Sequence, residues 1–206
     1  MRVSDLFSSS IEAYVAVIAT VIVCFVFLKM SFGYTQKRAN KRYAENKVKA
    51  PSIPSFTHLS KVLFVLAMLL TVASYWWDFP AILQFHDSVT LRLAGALWVL
   101  GGYIGLTCAF ATLGGNYSPL FDAYKPFELT KSGVYAKIRH PIYLFNLFVS
   151  FGLALSSGLI IVVITALVGL VFVTKALLME ERYLKQQFTA YEAYCASTWR
   201  LIPYVF

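Results

Sequence analysis

Four runs of this chain carry no Asp, Glu, Lys or Arg: residues 13–28, 62–77, 93–121 and 141–174. Uncharged runs of such length predict membrane-spanning helices, because no soluble core of this size requires them. The first predicts a span over roughly 11–30 and the second over roughly 59–77. The second ends in Tyr75-Trp76-Trp77, an aromatic cluster suited to a membrane interface. A third span is predicted over roughly 91–113, along which lie Gly101, Gly102 and Gly105. No strand precedes these glycines, so they predict close helix packing rather than a phosphate-binding loop.

The fourth run is 34 residues long. As one helix it would extend about 50 Å, against a hydrocarbon core of about 30 Å, whereas two full spans would need about 40 residues. It therefore predicts a helical hairpin within 141–179, breaking at Ser156-Ser157-Gly158 and with a short first arm. Residues 180–195 predict a helix with Leu184, Phe188, Tyr191 and Cys195 on one face, either continuing the fifth span or folding under the membrane. The fold class is all-α: an integral membrane bundle of about five transmembrane helices with a cytoplasmic C-terminal helix. Two regions follow, 1–113 with a basic loop at 31–60, and 114–206 with the hairpin and most of the candidate chemistry.

Composition agrees with this pattern. Of 206 residues, 59% are hydrophobic and 14% charged, too little charge for a soluble domain. The net charge of +8 does not indicate nucleic acid, because it is sorted by topology. With 29–61, 114–140 and 175–206 on one side, that side holds 16 of the 18 basic residues, leaving Arg2 and Arg92 opposite. The positive-inside bias makes that side cytoplasmic, with the N-terminus outside. The expected location is the inner membrane of a bacterium or the endoplasmic reticulum of a eukaryote, with membrane lipids as partners. The first span follows Asp5 and Glu12 and has only Arg2 as a basic start, so no cleavable signal is expected. Cys24, Cys108 and Cys195 form no CxxC pair, and His58, His86 and His140 have no zinc-type spacing with them; no metal is expected.

The ionisable residues left beside the apolar spans are the candidates for chemistry. Pro141 can open a helix, which puts Arg139 and His140 at its N-terminus, where free backbone N–H groups suit an anionic ligand group. The same residues also read as a basic membrane anchor, with Tyr135 and Tyr143 as interface aromatics. Glu180-Glu181 directly follows an apolar helix. It reads either as an acceptor for ligand hydroxyls or an ammonium group, or as the end of a span with Glu181 and Lys185 paired on a solvated face. Arg200 before Pro203 reads as a site residue or a headgroup contact.

Together these residues resemble the isoprenylcysteine carboxyl methyltransferase family over about 114–206. The resemblance rests on Leu113-Gly-Gly-Asn116-Tyr-Ser118, Leu129-Thr-Lys-Ser-Gly133-Val-Tyr135, Arg139-His140-Pro141-x-Tyr143, Glu180-Glu181, Phe188-x-x-Tyr191-x-x-Tyr194 and Arg200-x-x-Pro203. That family is similar to phospholipid methyltransferases and, more distantly, to membrane sterol reductases. The resemblance implies S-adenosylmethionine as cofactor. It places Phe127, Glu128, Leu129, Thr130, Tyr135, His140, Pro141, Ile142, Tyr143, Glu180, Glu181 and Arg200 at the cofactor; Arg139 and His140 are candidates for the chemistry, with Lys175 a candidate substitute for an acceptor-binding Arg that the family carries. Aromatic faces can accept a sulfonium cation, and a carboxylate can hold ribose hydroxyls or an ammonium group.

Two positions depart from the family pattern. Thr189 stands where Gly usually follows the Phe. Ala176 stands where prenylcysteine enzymes present an Arg to the acceptor carboxylate, with Lys175 beside it but turned about 100° around the helix. The resemblance implies methyl transfer to the carboxylate of a prenylcysteine-like or other lipophilic acceptor entering from the bilayer. Methylation of a phospholipid amine is the alternative, and a non-catalytic membrane protein of the same fold is the third reading. Catalysis would consist of positioning and exclusion of water. An amine acceptor would also have to lose a proton, with His140 the nearest candidate base.

Overall fold

The computed structural model describes residues 56–117 and 128–205, with isolated helical residues at 26, 29, 33, 34 and 37. The expected span at 11–30, most of the basic loop at 31–60, and Phe127 lie outside the described residues. Five α-helices follow in order: α1 (Phe56–Trp76), α2 (Val89–Leu113), α3 (Pro141–Ser157), α4 (Ile160–Gln187) and α5 (Tyr191–Ala196). Isolated bridges are the only β pairing among the described residues. Stretches of three helices, Leu59–Trp76, Val89–Asn116 and Ile160–Gln187, are long and apolar enough to cross a membrane. Many of their outward side chains are large and apolar, among them Val62, Leu69, Leu97 and Ile164. Such surfaces suit lipid rather than water.

The hairpin forms where its sequence predicts it. Pro141 opens α3, which at 17 residues is the short arm. Its 17 residues rise about 26 Å, less than the hydrocarbon thickness. Gly158 ends the arm with φ +69°, a left-handed conformation that glycine adopts without strain.

The described residues divide into two compact units, 58–103 with 146–171, and 104–117 with 128–145 and 172–205. In the first, the hairpin turn is stitched to the α1–α2 connection. Phe85 N–H donates to Gly158 O at 2.9 Å, and His86 Nε2 lies 2.8 Å from Leu155 O. Arg92, one of the two basic residues placed on the outer side, is buried. Its Nη1 donates to Ser74 O at 3.1 Å and its Nη2 faces Asp87 Oδ1 at 3.3 Å, which joins the end of α1 to the start of α2.

The glycine expectation holds only in part. A Cβ on Gly101 would meet nothing within 4 Å, whereas one on Gly105 would run into the Phe145 ring. A close backbone approach lies ten residues before Gly105, where a Cβ on Gly95 would strike the backbone of Gly152, Leu155 and Ser156. Small residues on α2 and α3 let the two backbones come together there.

In the second unit α4 runs to Gln187, the chain breaks over 188–190, and α5 starts at Tyr191. The single helix expected over 180–195 is therefore two. The break brings Leu184, Tyr191 and Tyr194 into one buried cluster, flanked by Leu129, Phe188 and Cys195. Thr189 sits in this break without a positive φ, so the turn makes no demand for glycine.

Candidate functional site

The second unit contains a cleft enclosing about 840 Å³, a figure that includes its open mouth. One wall begins at the N-terminus of α3. Residues 137–140 run alongside the C-terminal segment: Trp199 N–H donates to Lys137 O at 3.0 Å, Arg139 N–H to Trp199 O at 2.8 Å, and His140 N–H to Arg200 O at 3.1 Å. The helical ladder then starts with Leu144 N–H donating to His140 O. The backbone N–H groups of Ile142 and Tyr143, both lining residues, are first-turn donors with no intrahelical acceptor.

The turn before this wall holds Tyr135. Gly133 starts it at φ +55°, and a Cβ there would press on Thr112. Tyr135 is buried, and its carbonyl accepts from Tyr194 Oη at 2.6 Å. Burial pushes the Tyr135 phenol well above the usual tyrosine range, with the Glu180 charge adding to the effect. Burial likewise pushes Tyr194 up to about 12.

Asn116 closes the opposite wall. Its Nδ2 donates to Glu128 O at 2.6 Å and to Thr130 Oγ1 at 2.9 Å, and Glu128 N–H donates back to its Oδ1 at 3.3 Å. One buried side chain thereby staples residues 128–130 to the end of α2. Glu128, Leu129 and Thr130 all line the cleft.

The two adjacent glutamates do different things. Glu180 lines the cleft, with Oε2 at 3.7 Å from His140 Nδ1 and the Tyr143 phenol hydrogen-bonded to it. Glu181 is turned away. Its Oε1 accepts from Arg139 Nε at 2.9 Å and lies 3.3 Å from His140 Nε2, and its Oε2 accepts from Arg200 Nε at 2.9 Å. Arg139 also caps the carbonyls of Cys195 and Thr198 through Nη1. Glu181, at 5% side-chain exposure, is a strut between the start of α3, α4 and the C-terminal segment. This replaces the reading of Glu181 as half of a solvated pair with Lys185.

The expected site residues thus separate. Glu128, Leu129, Thr130, Tyr135, Arg139, His140, Ile142, Tyr143 and Glu180 come together on one cleft. Pro141, Glu181 and Arg200 stand outside its lining: Pro141 is packed inside the fold, and the other two are paired with each other. Lys175 is exposed on α4 and Ala176 beside it is half-buried; neither lines the cleft. His140 lines it, with Nδ1 3.7 Å from Glu180 Oε2 and Nε2 3.3 Å from Glu181 Oε1. Sequence reasoning did not single out Asn116, Tyr117, Tyr191 and Tyr194 as site residues, though all four line the cleft. Asn116, Tyr117, Tyr191 and Tyr194 stand within the quoted family motifs without an assigned role, and Tyr191 also reads as part of an apolar face.

Apolar membrane-length helices fit an integral membrane helical bundle, and its second unit holds a cleft walled by tyrosines and a half-buried carboxylate. The chain matches the phospholipid methyltransferase family over residues 89–191, half its length, and it belongs to that family. It is therefore a membrane methyltransferase. The matched stretch runs from the start of α2 to the start of α5 and carries nearly every cleft residue. No curated protein matches the chain.

Proposed function

We propose that the cleft binds S-adenosylmethionine and that the protein transfers its methyl group to the amine of a lipid. The observation that carries the cofactor reading is Glu180, a carboxylate facing the cleft between His140 and Tyr143 while its neighbour Glu181 is committed elsewhere. The residues fit the group. Glu180 can hold ribose hydroxyls or the ammonium, Ile142 and Tyr143 N–H can hold the carboxylate, and Tyr135 and Tyr143 can face a sulfonium. Leu129, Leu184 and Phe188 supply an apolar wall for the purine. When bound, the cofactor supplies an electrophilic methyl group on a cationic sulfur. The chain's own residues orient it and keep water away from it.

Two observations favour an amine acceptor over the carboxylate of a prenylcysteine. The family is that of phospholipid methyltransferases. The position of the expected acceptor-binding Arg is Ala176, and Lys175 is exposed and does not line the cleft. Among the described residues, the basic side chains on the cleft, Arg139 and His140, are directed at Glu180, Glu181 and the C-terminal carbonyls. We further infer from the basic residues that the cleft opens to the cytoplasm, in which case single cysteines at positions 45 and 125 label from the same side.

The test is calorimetric binding of S-adenosylmethionine to the purified protein in detergent, followed by transfer of labelled methyl to phosphatidylethanolamine and to a prenylcysteine analogue. Transfer to the amine should rise as pH climbs through the amine's effective pKa, because only the neutral amine attacks. Transfer to a carboxylate, ionised above about pH 4, would instead be flat from pH 6 to 9. Exclusive labelling of the prenylcysteine would reverse the acceptor assignment.

A further inference from the structure

Tyr191 is 1% exposed and lines the cleft, yet its hydroxyl has no hydrogen-bond partner among the described residues. A buried hydroxyl without a partner is costly, and the great majority of buried polar groups are paired. The other such atom is Arg92 Nε, but the rest of that guanidinium is bonded to Ser74 and Asp87. Tyr191 has a single polar side-chain atom, and that atom is the one left unpaired. The neighbouring Tyr194, packed edge-on against it with ring centroids 5.9 Å apart, shows the contrast, since its hydroxyl is spent on Tyr135 O.

We infer that the Tyr191 hydroxyl is a ligand-positioning group of the cleft, with its oxygen accepting a hydrogen bond from an ammonium or amine N–H of the bound ligand. The chemistry follows from its surroundings. Burial raises the phenol's pKa, so the group is neutral and can accept through a lone pair. The carboxylate of Glu180 lines the same cleft, while Glu181 is held by Arg139 and Arg200. A cationic N–H donor is attracted to such a place, and an anionic group is repelled from it. The assignment rests on the proposed cofactor and acceptor, both of which carry a suitable nitrogen: the aminoacyl end of S-adenosylmethionine and the lipid amine.

The test is Tyr191→Phe, which removes only the hydroxyl. Because that hydroxyl is unpaired in the free protein, the apparent Tm in detergent should not fall. A structural role would lower it. If the cofactor's nitrogen is the partner, affinity for S-adenosylhomocysteine should drop at least about tenfold. Affinity for 5′-methylthioadenosine, which lacks the aminoacyl end, should stay unchanged. If the lipid amine is the partner, both nucleoside affinities should hold and the KM for phosphatidylethanolamine should rise. An equal loss toward both nucleosides, a Tm that falls in step with activity, or no change in any of these measurements overturns the assignment. Wild-type protein that binds neither nucleoside would bring down the cofactor reading and this assignment with it. Wild-type binding matched by Tyr191→Phe in every assay would overturn the assignment alone.

Discussion

Arg200 Nε meets Glu181 Oε2 at 2.9 Å, fixing the C-terminal segment to α4 from a position still 36% exposed. The other oxygen of the same carboxylate holds Arg139, which is buried. Glu181→Ala strips both partners and leaves the Arg139 charge uncompensated, which should cost about 3–5 kcal/mol. Arg200→Ala acts at the solvent end and should cost about 1 kcal/mol or less. Thermal unfolding in detergent, followed by tryptophan fluorescence, ranks the two. Equal losses would show that the strut does not depend on Arg139.

Glu180 should behave in the opposite way to its neighbour. Glu180→Gln keeps size and removes charge in the cleft, so S-adenosylmethionine affinity should fall about 10- to 150-fold, the loss of one charge-assisted hydrogen bond. The apparent Tm should stay near wild type. Titration calorimetry on Glu180→Gln and Glu181→Gln side by side separates binding from scaffolding. Full affinity in Glu180→Gln would remove the main support for the cofactor reading.

Asn116→Ala cuts the staple between the end of α2 and residues 128–130. Leaving the Glu128 backbone groups without that partner should cost about 1–3 kcal/mol. Proteolysis within 128–130 should speed up, and cofactor affinity should drop because Glu128, Leu129 and Thr130 form part of the wall. Cleavage and binding both at wild-type levels would show that the loop is held by something else.

Tyr194 predicts an alkaline limit. Burial raises its pKa from the usual 10.0 to about 12 in the fold, and Tyr135 is raised by the same cause. The neutral phenol is thus favoured by folding. Its contribution is complete below pH 10 and declines as pH rises from there through about 12. The apparent Tm should be insensitive to these tyrosines between pH 7 and 9 and fall above 10. Tyr194→Phe should cost about 1 kcal/mol at neutral pH, through loss of the bond to Tyr135 O, and should blunt the alkaline fall. An alkaline slope identical to wild type would assign the limit to other groups.

What could be read in the sequence is what chain-local physics decides. The second and third spans follow from the lengths of uncharged runs, and α1 and α2 lie within about three residues of the expected bounds. The hairpin follows from a run too long for one span and too short for two, with Pro141 fit to open a helix and Gly158 fit to turn it. The cleft wall at 128–143 was legible as a motif, because its aromatic, basic and amide residues stand out against apolar neighbours.

The tertiary structure decided which of these residues face one another. Glu180 and Glu181 are equivalent by sequence, but successive residues on a helix point about 100° apart. Only the packing of α4 against residues 139 and 200 determines which carboxylate sees the cleft. Gly95 rather than Gly101 takes the close helix approach because the crossing point depends on where α3 sits. Arg92 is buried because partners on α1 and on the α1–α2 connection receive it. Tyr191, one apolar-face residue among several by sequence, starts a new helix after the break over 188–190, lines the cleft, and has a hydroxyl with no partner among the described residues. Each of these outcomes depends on groups far apart in the chain, and no local pattern of hydrophobic and polar residues encodes that relationship.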